Sequence, residues 1–76
     1  MDVVVDTNVA KPGLNLRKLA STSSEILAVL PVGSKMRVLD DIAEARAHIG
    51  KPGEWIEVKD EKGRRGFVGA AYVKEV

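Results

Sequence analysis

The sequence contains no cysteine, and it holds a single tryptophan, a single phenylalanine and a single tyrosine. Without cysteine the chain can form neither a disulfide nor a thiolate metal site, although this absence leaves its compartment open. No apolar run approaches the roughly 20 residues that a membrane-spanning helix needs, so we expect no membrane insertion. The N-terminal residues are acidic and lack the basic region of a signal peptide. A domain excised from a larger exported protein would show the same absences.

Net charge is also nearly absent, at +1 from 12 basic and 11 acidic residues. Nucleic-acid binding depends on a concentrated positive surface, so we expect no nucleic-acid partner. Four basic residues do gather near one predicted hairpin tip, but Asp60 and Glu61 lie among them, and such mixed signs are typical of a solvated turn. The four basic residues are Lys59, Lys62, Arg64 and Arg65.

The composition is that of a small folded domain. With 76 residues, 45% of them apolar and 30% charged, the chain is ordinary for a globular protein and too short for two domains. We expect one domain over residues 1–76, monomeric and excised from a larger multidomain protein. All three aromatic residues lie between positions 55 and 72. Aromatic side chains bury the most area, so the centre of the core is predicted there.

Short apolar or alternating runs predict five β-strands with tight turns, curled into a small barrel. The runs are residues 14–17, 26–30, 35–39, 55–59 and 66–68. The last two are separated by a charged loop that ends in Gly63, which is typical of an antiparallel hairpin. The side chains predicted to fill the core are Leu16, Leu27, Val29, Met36, Val38, Ile56, Val58 and Val68.

Residues 41–50 break the strand pattern. Their apolar side chains recur at helical spacing and predict one short helix docked on the barrel, the alternative being an irregular ordered insertion. Asp41 suits the N-cap, Glu44 stands three residues later as in a capping box, and Gly50 is placed to end the helix. The apolar stripe consists of Ile42, Ala45 and Ile49.

The ordered set of segments resembles bacterial Src-homology-3-like domains over about residues 3–76. Residues 14–17, a Ser/Thr-rich loop and residues 26–39 resemble the first half of such a domain. Residues 55–58, Gly63, residues 66–68 and residues 71–73 resemble the second half. The resemblance implies an all-β, five-stranded antiparallel barrel with a 3₁₀ turn near residues 70–72, followed by a last strand at residues 73–75. It also implies a non-catalytic module that binds cell-wall peptides or other proteins.

Two features depart from the family pattern. Residues 18–20 replace the Ser-Gly-Pro-like turn that usually follows the arginine, which changes the loop bordering the family's ligand groove. Residues 41–53 are longer than the usual connection before the tryptophan strand. This insertion is expected to cover or extend a binding surface.

Catalysis finds little support in the residues. His48 is the only histidine, and the predicted helix places it at the surface. A serine nucleophile needs a base that a third group orients, and nothing here supplies one. Two acidic pairs, Asp40 with Asp41 and Asp60 with Glu61, are better explained by cap and turn roles than by a shared proton or metal. We expect no enzyme, no catalytic residue, no metal and no cofactor.

Trp55 is the first of four predicted ligand-binding residues. It lies out of phase with Ile56 and Val58, so if those two fill the barrel the indole faces outward. An outward indole either packs under the insertion, against Ile42 or Ile49, or offers a flat face to a ligand. The sequence leaves both alternatives open.

Asn15, Arg17 and Tyr72 complete the predicted set. Asn15 and Arg17 alternate with inward leucines and face outward beside the long loop of residues 18–25. Asn15 can donate and accept hydrogen bonds, and Arg17 can hold a carboxylate, although a plain polar residue of a strand edge is the alternative for Arg17. Tyr72 can bond the backbone or reach an extended peptide. In a barrel of this family, the loop after Arg17 and the turn at Tyr72 would border one groove.

Two functions follow as alternatives. The first is a module that recognises peptidoglycan peptides or another short peptide segment. The second is a structural spacer that packs against a neighbouring domain of its own chain. A groove of mixed aromatic and polar character would favour the first, and a contiguous exposed apolar patch the second. In either case we expect the parent protein to be extracytoplasmic, in the cell envelope or secreted.

Overall fold

A computed structural model describes residues 1–76. The elements are β1 (Asp2–Val5), β2 (Leu14–Arg17), β3 (Ile26–Leu30), β4 (Lys35–Val38), α1 (Ile42–His48), β5 (Trp55–Asp60), β6 (Arg65–Gly69), a 3₁₀ helix (Ala70–Tyr72) and β7 (Val73–Glu75). The predicted all-β antiparallel fold with one short helix is confirmed, and so is the 3₁₀ turn. The structure has seven strands rather than five.

The seven strands form one antiparallel sheet in the order β3-β2-β6-β5-β4-β1-β7. The molecule measures 28 × 24 × 23 Å along its principal axes. Because these extents are nearly equal, the sheet must be curled around the core. Strand β7 is the last strand that the family resemblance implies, whereas β1 is not among the predicted strands; β1 pairs with both β4 and β7. Strands β1 and β7 form because Val3, Val5 and Val73 bury their side chains in that core. The edges of the sheet are β3 and β7.

The core is a single cluster of 13 buried apolar residues. Six of the eight predicted core residues belong to it: Leu16, Met36, Val38, Ile56, Val58 and Val68. These positions alternate with less buried residues in their strands, so the two-residue period identified the inward side correctly.

The prediction was wrong for β3. Val29 is 43% exposed and Leu27 is only partly buried. The reason is the register with β2, in which Asn15 lies opposite Val29 and Leu16 lies opposite Ala28. Val29 therefore shares the outer face with Asn15. Past this point the register shifts, which leaves Leu27 as a bulge residue without a partner on β2.

Helix α1 begins and ends where the sequence predicts. The Asp41 carboxylate accepts a hydrogen bond from Glu44 N at 3.2 Å, as an N-cap does. Gly50 adopts φ +86°, and its N–H donates to Ala70 O at 2.8 Å. Ala45 is buried and Ile49 packs against the core, but Ile42 is 46% exposed, so the predicted stripe is shorter than expected. No helix in the chain has the length and apolarity needed to cross a membrane.

The β5–β6 hairpin tip is organised by a buried carboxylate. The side chain of Asp60 is 3% exposed and accepts hydrogen bonds from Lys62 N at 3.0 Å, Arg64 N at 2.8 Å and Arg64 Nε at 2.6 Å. Burial alone raises the pKa of Asp60, but the hydrogen bonds and charge of Arg64, together with the Lys62 amide, outweigh it and lower that pKa. The turn role predicted for Asp60 is confirmed.

Candidate functional site

An open cleft of about 610 Å³ lies on the outside of the curled sheet. Its walls are the β1–β2 connection at residues 8–11, Thr22 of the β2–β3 loop, residues 53–54 before β5, and the 3₁₀ helix at residues 71–72. The structure brings all four predicted site residues to this cleft: Asn15, Arg17, Trp55 and Tyr72. Their role in binding a ligand stays a prediction.

The floor of the cleft is made by the outer faces of β2, β5 and β6. Trp55 of β5 lies opposite Gly69 of β6, and Arg17 of β2 lies opposite Phe67 of the same strand. At Gly69 the ring of Tyr72 lies directly over the backbone, because a Cβ atom there would be 2.9 Å from the ring's Cδ2. The absence of a side chain at residue 69 therefore lets the tyrosine ring rest on the floor.

The wall at Tyr72 is joined to the β1–β2 connection by hydrogen bonds. Asp6 N donates to Tyr72 O at 2.9 Å, and Asn8 Nδ2 lies 3.5 Å from Ala71 O. The side chain of Tyr72 itself remains 47% exposed. One end of the cleft is thus held by the backbone, while the aromatic ring stays open to a ligand.

The opposite wall is held by Arg17. Its Nη1 donates to Ser24 O at 2.9 Å, and Ser24 Oγ lies 3.0 Å from Leu19 O and 2.9 Å from Ser21 O. The unusual residues 18–20 are therefore part of a loop closed by its own hydrogen bonds. Arg17 is more than a plain strand-edge residue, because it fixes this loop. Its guanidinium still carries further N–H donors for a ligand.

The insertion reaches the cleft without closing it. Ala70 N donates to Glu54 O at 2.8 Å, which fixes residues 53–54 at the cleft edge next to Trp55. Ile42 is exposed and Ile49 packs against the core, and neither lines the cleft. Trp55 is half-buried, so part of the indole faces the cleft. The structure favours the open alternative for this residue.

The charges of the cleft are of both signs. Lys11 and Arg17 supply positive charge, and Glu54 supplies a carboxylate whose Oε2 lies 3.6 Å from His48 Nε2. No buried side-chain nitrogen or oxygen in the chain lacks a hydrogen-bond partner. Any free polar group of the cleft is therefore hydrated, and a ligand would exchange protein–water hydrogen bonds for protein–ligand ones.

Sequence reasoning missed one wall, the β1–β2 connection. Five of its residues line the cleft: Asn8, Val9, Ala10, Lys11 and Gly13. The available signal was length, since residues 6–13 form a connection as long as residues 18–25. Long connections on a rigid scaffold often carry recognition. Only the pairing of β1 with β4 and β7 shows that this connection turns towards the cleft.

Two acidic residues outside the cleft have structural roles. Asp40 Oδ2 accepts from Glu57 N at 2.9 Å, and Asp41 caps the helix. His48 is partly exposed beside Glu54, with no third group to orient it as a base. No three His, Cys, Asp or Glu side chains lie close enough together to hold a metal ion.

Comparison with known proteins adds two findings. The family model of the bacterial SH3 domain matches residues 12–74, a range that includes all four predicted site residues and the insertion. The teichoic acids export ATP-binding protein TagH of Bacillus cereus is 38% identical to the chain over 66 residues. That similarity covers 87% of this chain but only 11% of the length of that protein.

Proposed function

The chain belongs to the bacterial SH3 domain family, and from this membership we propose that it is a non-catalytic module that recognises short cell-wall peptides. Domains of this family often serve in binding or targeting. The observation that carries the proposal is the convergence of Asn15, Arg17, Trp55 and Tyr72 on one open cleft. A cleft that combines aromatic faces with a few polar groups is typical of ligand sites.

The chemistry of the cleft matches a flexible peptide of peptidoglycan, either a stem or a cross-bridge. The Asn15 amide can exchange hydrogen bonds with a peptide backbone, and Arg17 or Lys11 can hold a carboxylate. Aliphatic carbons would lie against Trp55 and Tyr72. We expect a dissociation constant of about 10 µM to 1 mM, because a shallow hydrated site must offset the ordering of a flexible ligand.

Backbone amide NMR of the labelled chain, titrated with stem and cross-bridge peptides, tests the proposal. We expect shifts at residues 8–11, 15–25 and 69–73. The variant Tyr72→Ala should weaken binding about tenfold, since it removes one aromatic face. Tyr72→Phe is the matched control, because it keeps the ring and removes only the hydroxyl. An unaltered spectrum at millimolar peptide, or shifts confined to residues 59–65, would contradict the proposal.

We place the parent protein in the cell envelope or outside the cell. The name of the Bacillus cereus relative concerns export of teichoic acids, which supports an envelope setting for the parent. The similarity covers only 11% of that protein, so it gives no reason to propose ATP binding for this chain.

The second candidate function is a structural spacer, and one observation favours it. The outer side of β3 and the turn after it expose Ile26 at 47%, Val29 at 43% and Val32 at 42%. Exposed apolar side chains on an edge strand are suited to packing against a neighbouring domain of the parent protein. The peptide titration separates the two functions, because a spacer would give no shifts at the cleft.

A further inference from the structure

The outer face of the sheet carries a row of positive charges away from the cleft. Arg37 of β4 lies opposite Lys59 of β5, and Lys59 lies opposite Arg65 of β6. Side chains of directly opposed residues share one face of a sheet, so the three cations form a line across the strands. We call this line the basic row. Lys35 lies two residues from Arg37 on the same face of β4, and all four residues are exposed.

The basic row is only partly neutralised within the chain. Asp2 of β1 lies opposite Arg37 in the sheet, on the same face, but forms no ion pair with it. Among its members only Arg65 has a carboxylate within 4.0 Å, Glu57, at 3.7 Å and on the exposed surface. The remaining ion pairs of the chain involve Arg46, His48 and Arg64, none of which belongs to the row. Like charges directly opposed across strands reduce stability. An arrangement of opposed like charges that is compensated only in part is typical of a functional surface.

We propose that the basic row binds a linear anionic polymer whose units are joined by phosphodiesters. Neighbouring strands are about 4.8 Å apart, so the three cations span about 10 Å, enough to meet successive phosphates of a chain lying across the strands. Arginine and lysine are the residues that proteins use most for phosphate oxygens. The net charge of +1 does not oppose this, because only the local row contacts the polymer.

The surroundings of the row favour a narrow polymer over a planar membrane. A groove of about 280 Å³ beside it is lined by Lys35, Arg37 and Lys59 but also by Asp2 and Glu61. A flat anionic membrane that touched the cations would also approach both carboxylates, whereas a single chain lying along the row passes beside Glu61 and meets Asp2 only at the end next to Arg37. The groove has no aromatic lining residue on which nucleic-acid bases could stack.

This surface is separate from the cleft. The cleft and the groove share no lining residue. Trp55 and Lys59 lie on the same face of β5 four residues apart, which corresponds to about 13 Å along a strand. The proposal therefore goes beyond peptide recognition and does not depend on it.

Fluorescence anisotropy of end-labelled poly(glycerol phosphate), titrated at low salt with the whole chain, tests the proposal. We expect saturable binding that weakens steadily as salt is raised. The double variant Arg37→Gln with Lys59→Gln should lose about tenfold or more in affinity for the polymer. The matched control is Lys18→Gln with Lys51→Gln, which loses the same net charge from exposed positions outside both surfaces and should change binding less than about twofold.

Thermal unfolding of the same variants separates lost binding from lost folding. Removing opposed like charges should leave the midpoint of the row variant unchanged or raise it, so weaker binding cannot be attributed to unfolding. The proposal fails if the wild-type chain shows no saturable binding, or if the control variant loses as much affinity as the row variant. Tighter binding to phosphatidylglycerol vesicles or to oligo(dT), at equal phosphate concentration, would assign the surface to another partner and overturn the proposal as well.

Discussion

The position of Tyr72 in the cleft depends on the residue beneath it. Because the ring lies over Gly69, the variant Gly69→Ala would place a methyl group 2.9 Å from the ring's Cδ2. The ring is the outer end of an exposed side chain, so it can swing away at a small cost in stability, about 1 kcal/mol or less. We expect Gly69→Ala to weaken peptide binding about as much as Tyr72→Ala does, while the domain stays folded. Calorimetric titration and thermal unfolding measure the two effects.

The control for this prediction is Gly33→Ala. Gly33 has a positive φ of 86°, but no atom lies within 4 Å of the place that an added methyl group would take, and the residue lies outside the cleft. This variant should lower stability through backbone strain and leave peptide affinity unchanged. Equal affinities of Gly69→Ala and the wild-type chain would show that the ring position is unimportant for binding.

Among the elements, the β5–β6 hairpin carries a pH-dependent contribution to stability. The pKa of Asp60 is lowered in the folded chain because hydrogen bonds and charge from Arg64 outweigh the effect of burial. The stabilisation is therefore fully present above the unfolded pKa of about 4 and is lost as pH falls through the folded pKa. We expect Asp60→Asn to lower the free energy of unfolding by about 1–3 kcal/mol at neutral pH.

Urea denaturation followed by the fluorescence of Trp55 measures this effect at several pH values. The difference between the wild-type chain and Asp60→Asn should shrink as the pH is lowered below about 4. Glu61→Gln, at the exposed neighbouring position, is the control and should change stability by less than about 0.5 kcal/mol. A difference that stays constant with pH would contradict a role for the ionised carboxylate.

The strands differ in how much of their structure the sequence predicts. In β4 and β5 the alternation of polar and apolar residues identifies the inward side, and Met36, Val38, Ile56 and Val58 are all buried. In β3 all five residues are apolar, so alternation carries no information about which side is buried. Its orientation is decided by pairing with β2 and by the bulge at Leu27, which are properties of the folded sheet.

In the candidate site, too, some features could be predicted from the sequence and others depend on the folded sheet. Asn15 and Arg17 could be recognised because they alternate with leucines, and Trp55 because it lies out of phase with its buried neighbours. The wall at residues 8–11 could not, because its position is set by β1, which lies two strands away from β5 in the sheet. The opening of the Trp55 indole also depends on where the insertion docks, which the hydrogen bonds of Gly50 and Glu54 to Ala70 determine.

For the molecule as a whole, the two sheet edges bear on its state of association. At one edge β3 is interrupted by a bulge, and at the other β7 has only three residues, with Glu75 held by Arg46. Bulges and short strands are features that discourage edge-to-edge pairing. We expect a monomer of 8.2 kDa in sedimentation equilibrium, unchanged up to millimolar concentration. An apparent mass that rises with concentration would contradict this expectation. If the variant Val29→Lys then stayed monomeric, the association would be assigned to β3.

Strand β2 presents leucines to the core and polar residues to the cleft in strict alternation, and the remaining cleft walls are mostly connections outside the core. Substitutions at Asn15 or Arg17, or at residues 8, 10 and 11, therefore leave the buried cluster untouched, whereas Val9 packs against it. Evolution can therefore change the ligand specificity of the cleft by single substitutions, while the barrel stays the same. Lineages that share this scaffold are free to diverge in their ligands without first finding a new way to fold.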